Sequence, residues 1–168
     1  LKFHKTSSAF CGTGNATRGL YIGGTTGSVI NVIEYMTLAS TANFVDFGDL
    51  IQVTNSNGAV SSPVRSVCLG GSAPGGRINN IQYVTISTTG NAQNFGDLTV
   101  SRYGLSAASN STRGLFAGGY YPASRSDVID FVTIASTGNA QDFGDLGATR
   151  MYSSAVSSST RFVIGGGA

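Results

Sequence analysis

The sequence predicts an all-β repeat protein, on three observations. The string Phe-Gly-Asp-Leu occurs at residues 47–50, 95–98 and 143–146, so Phe47, Phe95 and Phe143 stand 48 residues apart twice over. Glycine accounts for 24 of the 168 residues, and glycine, serine, threonine and asparagine separate short apolar runs, as expected of brief strands joined by tight turns. No stretch shows the apolar spacing of a helix. A fixed period of this length marks a repeat architecture.

Other landmarks keep the same register. Glycine pairs fall at Gly23-Gly24, Gly70-Gly71, Gly118-Gly119 and Gly165-Gly166, each preceded by an arginine: Arg18, Arg65, Arg113 and Arg161. Tyr35, Tyr83 and Phe131 each open an aromatic-x-Thr series. One unit then reads as four strands, A to D. Strand A is expected at residues 151–156, and at 103–108, 55–60 and 6–11 in the other units. It is rich in small residues, which suits a tightly packed inner strand. Strand B, residues 114–119, sets Leu115 and Ala117 on one face and Phe116 on the other. A short strand apolar on both faces must be covered on both faces. Strand C, residues 128–134, is dominated by β-branched and aromatic residues, as strands prefer. A polar Gly-Asn turn, Gly138-Asn139 or Gly90-Asn91, signals a hairpin leading into strand D at residues 141–146.

Four antiparallel strands per unit of about 48 residues, buried on both faces, predict a β-propeller whose blades cover one another. A β-solenoid is the rival, but its coils are usually shorter and lack two hairpins per repeat. The predicted organisation is a single incomplete propeller domain over residues 1–168. It holds blades at about 1–50, 51–98 and 99–146 and a half blade at 147–168, about three and a half blades in all. Such a chain would expose unpaired strand edges, which proteins avoid. Further blades, from the same polypeptide or an assembled partner, are therefore expected to cover them.

The order of arginine, apolar strand, Gly-Gly, variable loop, aromatic-x-Thr strand, aromatic and Leu resembles the kelch motif. In the third unit those residues are Arg113, Gly118-Gly119, Phe131, Phe143 and Leu146. The chain departs from typical kelch repeats in having Phe-Gly-Asp-Leu where they carry a Trp shortly before the Leu; it has no Trp. The block at residues 133–146 also resembles kelch-like repeats of structural and tail-fibre proteins of marine bacteriophages. The resemblance implies a kelch-like β-propeller in a virion or extracellular setting.

Composition narrows the function. A net charge of +2 with scattered basic residues makes no nucleic-acid stripe. No apolar run of about 18 residues predicts a membrane span, and no signal-peptide pattern opens the chain. Cys11 and Cys68 form no disulfide framework. Cys68 is aligned with Tyr21, Phe116 and Val163 and reads as a small buried hydrophobe rather than half of a disulfide. His4, the only histidine, cannot furnish a metal centre or a catalytic triad, so no cofactor and no catalysis are expected. Asp142 and Asp145 lack the alternating oxygen ligands of a calcium loop, and Asn94 replaces Asp142 in the second unit.

Asp49, Asp97 and Asp145 recur in every unit, as do Arg18, Arg65, Arg113 and Arg161. We read them as structural residues, either as Asp–Arg pairs or as aspartates bonding backbone amides, in preference to a charged site. Glu34 and Asp130 share a position with Gln82 and read as solvated strand residues. Asn15 and Asn110 match the N-glycosylation pattern and read as turn residues. Function is expected where units differ, in the loops between strands B and C. There Tyr120, Tyr121 and Arg125, with Arg77 of the preceding loop, offer rigid aromatic area and charged donors for a ligand. The expected function is a non-catalytic structural or adhesion module, such as part of a tail fibre, that recognises a protein or cell-surface glycan. The alternatives are a propeller enzyme, an oxidase or glycan-processing enzyme with catalytic residues outside this sequence, and an intracellular protein-interaction propeller.

Overall fold

The apolar, β-branched runs become strands, and the Gly/Ser/Thr/Asn clusters become the turns between them. The computed structural model describes residues 8–41 and 43–168, all strand, turn or irregular chain, with no helix among them. The first sheet runs β1 (Cys11–Gly14), β2 (Arg18–Ile22), β3 (Val32–Thr37) and β4 (Val45–Asp49). The second contains β5 (Gly58–Ser61) and β6 (Arg65–Leu69). After a two-residue hairpin, β7 (Ser72–Ala73) and β8 (Gly76–Arg77), it continues with β9 (Asn80–Thr85) and β10 (Gln93–Asp97). The third is β11 (Ser106–Ser109), β12 (Arg113–Ala117), β13 (Ser126–Thr133) and β14 (Gln141–Arg150). Two strands follow as their own sheet, β15 (Ser154–Ser157) and β16 (Phe162–Gly165). Each four-stranded sheet is an antiparallel meander.

Consecutive sheets share their cores. Ile22, Ile33, Phe47 and Leu50 of the first unit pack with Cys68, Val84 and Ile86 of the second. Val67, Leu69, Ile81, Phe95 and Leu98 of the second pack with Phe116, Val132 and Ile134 of the third. The middle strands of the second sheet are therefore covered on both faces, as their composition requires.

The Phe-Gly of the recurring string is a β-bulge. In all three sheets the phenylalanine is passed over by the pairing: Ile33 faces Gly48 and Glu34 faces Asp46, with Phe47 the extra residue, and Phe95 and Phe143 behave alike. The glycine takes a positive φ, 153° at Gly96. A Cβ there would collide with the Gly138 carbonyl of the next unit. The glycine pairs are constrained in the same double way. Gly70 and Gly71 have φ of 58° and 104°, the Gly71 amide donates to Arg102 O at 2.9 Å, and a Cβ on Gly70 would lie 2.7 Å from that oxygen. Only glycine fits both the angle and the contact.

Two sequence alignments need correction. The last glycine pair is Gly166-Gly167, with φ of 71° and 86°, not Gly165-Gly166. β16 runs through Gly165, and its register puts Ile164, rather than Val163, at the position of Phe116 and Cys68. The inner strands also begin later than expected, at 58, 106 and 154 rather than 55, 103 and 151, and in the first unit at 11 rather than 6. Residues 6 and 7 of that first strand lie outside the described residues. The segment ahead of each inner strand is a crossing between sheets, pinned by backbone bonds in series. Ser56 N donates to Ala9 O at 2.7 Å, Gly104 N to Ser56 O at 2.8 Å and Tyr152 N to Gly104 O at 2.7 Å. All four residues are left-handed, with φ between 51° and 66°, an uncommon conformation for the three that are not glycine.

Candidate binding site

The loops joining second to third strands begin at the glycine pairs and fold back on them. Ile30 N bonds Gly24 O at 2.9 Å, Ile78 N bonds Gly71 O at 3.0 Å and Ser126 N bonds Gly119 O at 2.8 Å. The third loop is a small hairpin. Tyr121 N donates to Ser124 O at 2.8 Å, the Tyr120 hydroxyl donates to Ala123 O at 3.0 Å, and Tyr121-Pro122 is cis.

The four residues chosen from sequence come together there. Arg77, on β8 of the second loop, reaches into the third: its Nη2 donates to the Pro122 carbonyl, and its guanidinium lies 5.7 Å from the Tyr120 ring centroid. Arg125 pairs with Tyr120 across the third hairpin, and Tyr121 beside it is 37% exposed. Two further tyrosines join. Tyr103 lies 5.5 Å from Tyr120, and Tyr152 lies 6.3 Å from Tyr103, so three rings form a row capped by Arg77. Sequence reading missed Tyr103 and Tyr152 because it assigned both to inner strands, whereas they sit on the crossings. The signal was available: Asn55 and Met151 occupy the position of Tyr103, and Ser56 and Gly104 that of Tyr152. At the corresponding place between the first two units, Asn55 Nδ2 donates to Thr25 Oγ1 at 2.8 Å instead.

The repeated charges do a different job from the one expected. Asp49, Asp97 and Asp145 have exposed side chains that pair with no arginine among the described residues. Their backbone is what recurs. Gly90 N donates to Phe47 O and Ala92 N to Asp49 O, each at 2.8 Å, while Asp49 N donates to Asn91 Oδ1 at 3.0 Å. The next interface repeats this: Gly138 N to Phe95 O at 2.7 Å, Ala140 N to Asp97 O at 2.8 Å and Asp97 N to Asn139 Oδ1 at 3.1 Å. The Gly-Asn turn of one unit thus seats on the bulge of the unit before. The arginines also join units. Arg18 and Arg65 each lie 4.6 Å above the ring of Tyr35 or Tyr83. Arg18 Nη1 reaches Ile86 O at 2.7 Å, and Arg65 Nη1 reaches Ala135 O at 2.7 Å. Arg113 lies 4.6 Å above Phe131, and Arg161 is exposed.

Asp130 is not solvated. It is fully buried and forms a 2.9 Å ion pair with Arg102, itself fully buried. Arg102 also donates to Val128 O and Phe116 O, and the Thr99 hydroxyl donates to Asp130. Burial pushes the Arg102 pKa down, and the Asp130 charge opposes that shift. Removing one partner of such a pair costs about 3–5 kcal/mol. In the second unit the same two positions are Thr54 and Gln82, and Gln82 Oε1 accepts from Ile51 N at 2.6 Å. Glu34, in the first unit, is half-buried.

Cys11 and Cys68 are free thiols brought together between the first two units, where Asn57 Nδ2 donates to both sulfurs at 3.0 and 2.9 Å. The hydrogen bond to Cys68, then burial, raises the Cys11 pKa. Asn15 and Asn110 are turn residues whose Oδ1 atoms accept amides two and three residues on, and whose Nδ2 atoms reach Pro63 O and Ser159 O of the following unit. Asp142 Oδ1 accepts from Gly144 N at 3.4 Å. No group of three or more His, Cys, Asp or Glu suited to a metal ion occurs among the described residues, and His4 lies outside them. Compared with known proteins, the chain matches no family model and no curated protein.

Proposed function

We propose that the chain is a segment of a kelch-like β-propeller acting as a non-catalytic structural or adhesion module, of the kind found in a virion appendage such as a tail fibre. Support for the propeller reading lies in the way the sheets follow one another. The inner strands β1, β5, β11 and β15 touch in series, and the crossings ahead of β5, β11 and β15 each accept an amide from the glycine pair of the sheet before. The ligand class is a cell-surface glycan. The observation that carries this is the tyrosine row with Arg77 over Tyr120, assembled from loops and crossings of successive units. Ring faces stack on the apolar faces of sugars, and the guanidinium and the Tyr121 hydroxyl supply donors at the edge.

A glycan array probed with the chain and with Tyr120→Ser tests the reading. We expect discrete signals that fall at least tenfold in the variant, with unchanged circular dichroism. A blank array, or signals indifferent to the substitution, would overturn it.

A further inference from the structure

The two inner interfaces of the chain define what a complete junction contains, and one surface carries half of such a junction. It lies between the third sheet and β15–β16, in a groove of roughly 460 Å³ lined by Leu115, Ile129, Phe143, Leu146, Phe162 and Ile164. Phe143 is 52% exposed, whereas Phe95, at the same position one unit earlier, is 3% exposed. We propose that this groove is a docking site for a β-hairpin with the pattern of residues 128–146: an aromatic-x-Thr strand, a Gly-Asn-Ala turn and a bulged second strand.

Four features specify that occupant. β16 is paired on one side only, by β15, whereas β6 and β12 carry β9 and β13 on the corresponding edge. A strand added antiparallel to β16 would extend the sheet by the same main-chain bonds. The bulge at Gly144 is open: a Cβ there meets nothing within 4 Å, whereas at Gly96 it strikes the Gly138 turn. The carbonyls of Phe143 and Asp145 are thus placed for the two turn amides, and Asp145 N for an asparagine side chain, as at Phe95 and Asp97. Arg113 lies over Phe131 as Arg65 lies over Tyr83, but only Arg65 goes on to a strand-end carbonyl. Finally, the apolar floor asks for the residues that cover it one interface earlier, Val132, Ile134 and Ala140, all borne by a third strand and its turn.

A second copy of the chain does not meet this specification. Each of its hairpins of that pattern, β3–β4, β9–β10 and β13–β14, is already bonded to its own second strand, so it would have to unpair a sheet to offer one. The proposal stands on the pairing inside the chain and is independent of the tyrosine row.

The experiment titrates a fluorescent synthetic peptide of residues 126–146 into the full chain and follows anisotropy, with amide exchange of residues 161–165 as a second readout. An isolated hairpin is marginally stable, so only micromolar affinity is expected, on the order of tens of micromolar. Binding should saturate, slow exchange along β16, and weaken at least tenfold in Phe143→Asp and with a peptide carrying Asn139→Ala. Val64→Asp, at a 61% exposed site elsewhere, should bind like the parent. Phe143→Asp replaces a half-exposed side chain, and circular dichroism verifies its fold. Absence of saturable binding at about 1 mM peptide, binding that Phe143→Asp leaves unchanged, or a Phe143-dependent dimer of the chain that the peptide does not displace would each overturn the proposal.

Discussion

Phe95-Gly96-Asp97-Leu98 and Phe143-Gly144-Asp145-Leu146 are the same four residues in the same bulge. Each phenylalanine meets its strand-three aromatic edge-on at 6.0 Å. Yet Phe95 and Leu98 are core, while Phe143 is half in solvent and Leu146 is partly exposed. Local sequence makes the bulge; the following unit makes it a core. Apolar character therefore marks these positions as able to be buried, and burial itself is conferred by the Val132, Ile134 and Ala140 layer that arrives from outside.

The comparison can be broken residue by residue. The largest difference is expected at the phenylalanine. Phe95→Ala should cost about 3–5 kcal/mol, since a buried ring leaves a cavity, whereas Phe143→Ala should cost about 1 kcal/mol. Urea unfolding of the two variants measures both, and equal costs would mean that the third unit is covered as fully as the second. The glycine comes next. Gly96→Ala and Gly144→Ala share the strain of a positive φ, about 1–3 kcal/mol, but only Gly96→Ala also drives a methyl group into the Gly138 turn. Its melting temperature should fall further, and identical melting would place the turn elsewhere. The aspartate should matter least. Asp97→Ala and Asp145→Ala both leave the backbone bonds in place and should stay within about 0.5 kcal/mol of the parent chain. A large loss in Asp97→Ala alone would reveal a side-chain role that the exposed carboxylate does not show.

Repetition made much of this legible before any coordinates. The period, the strand order, the glycine pairs and the turn-bearing hairpins all recur, so each copy checks the others. It also singled out Asp97 and Arg65 as recurring residues, but not the groups that they meet. A sequence shows which residue recurs, not whether its side chain or its main chain makes the contact, and here the aspartate contributes an amide and a carbonyl. What occurs once was hidden. Arg102 and Asp130 lie 28 residues apart with Thr54 and Gln82 at the matching positions, so nothing in the pattern linked them. Tyr103 and Tyr152 were concealed because the crossings, with their alternating small residues, resemble the beginning of a strand. Within the tyrosine–arginine cluster, Tyr120, Tyr121, Arg77 and Arg125 stood out in the sequence because they interrupt the repeat.

The main-chain series from Ala9 through Ser56 and Gly104 to Tyr152 has a consequence for how such a chain can vary in length. From bulge to left-handed residue the count is nine in every unit: Phe47 to Ser56, Phe95 to Gly104 and Phe143 to Tyr152. An insertion there would throw each later amide out of step with its acceptor. From Gly24 to Val32 the count is eight, but from Gly71 to Asn80 it is nine. The protein thus keeps its crossings at one fixed length and leaves the loops between second and third strands free to gain or lose residues without re-registering any strand.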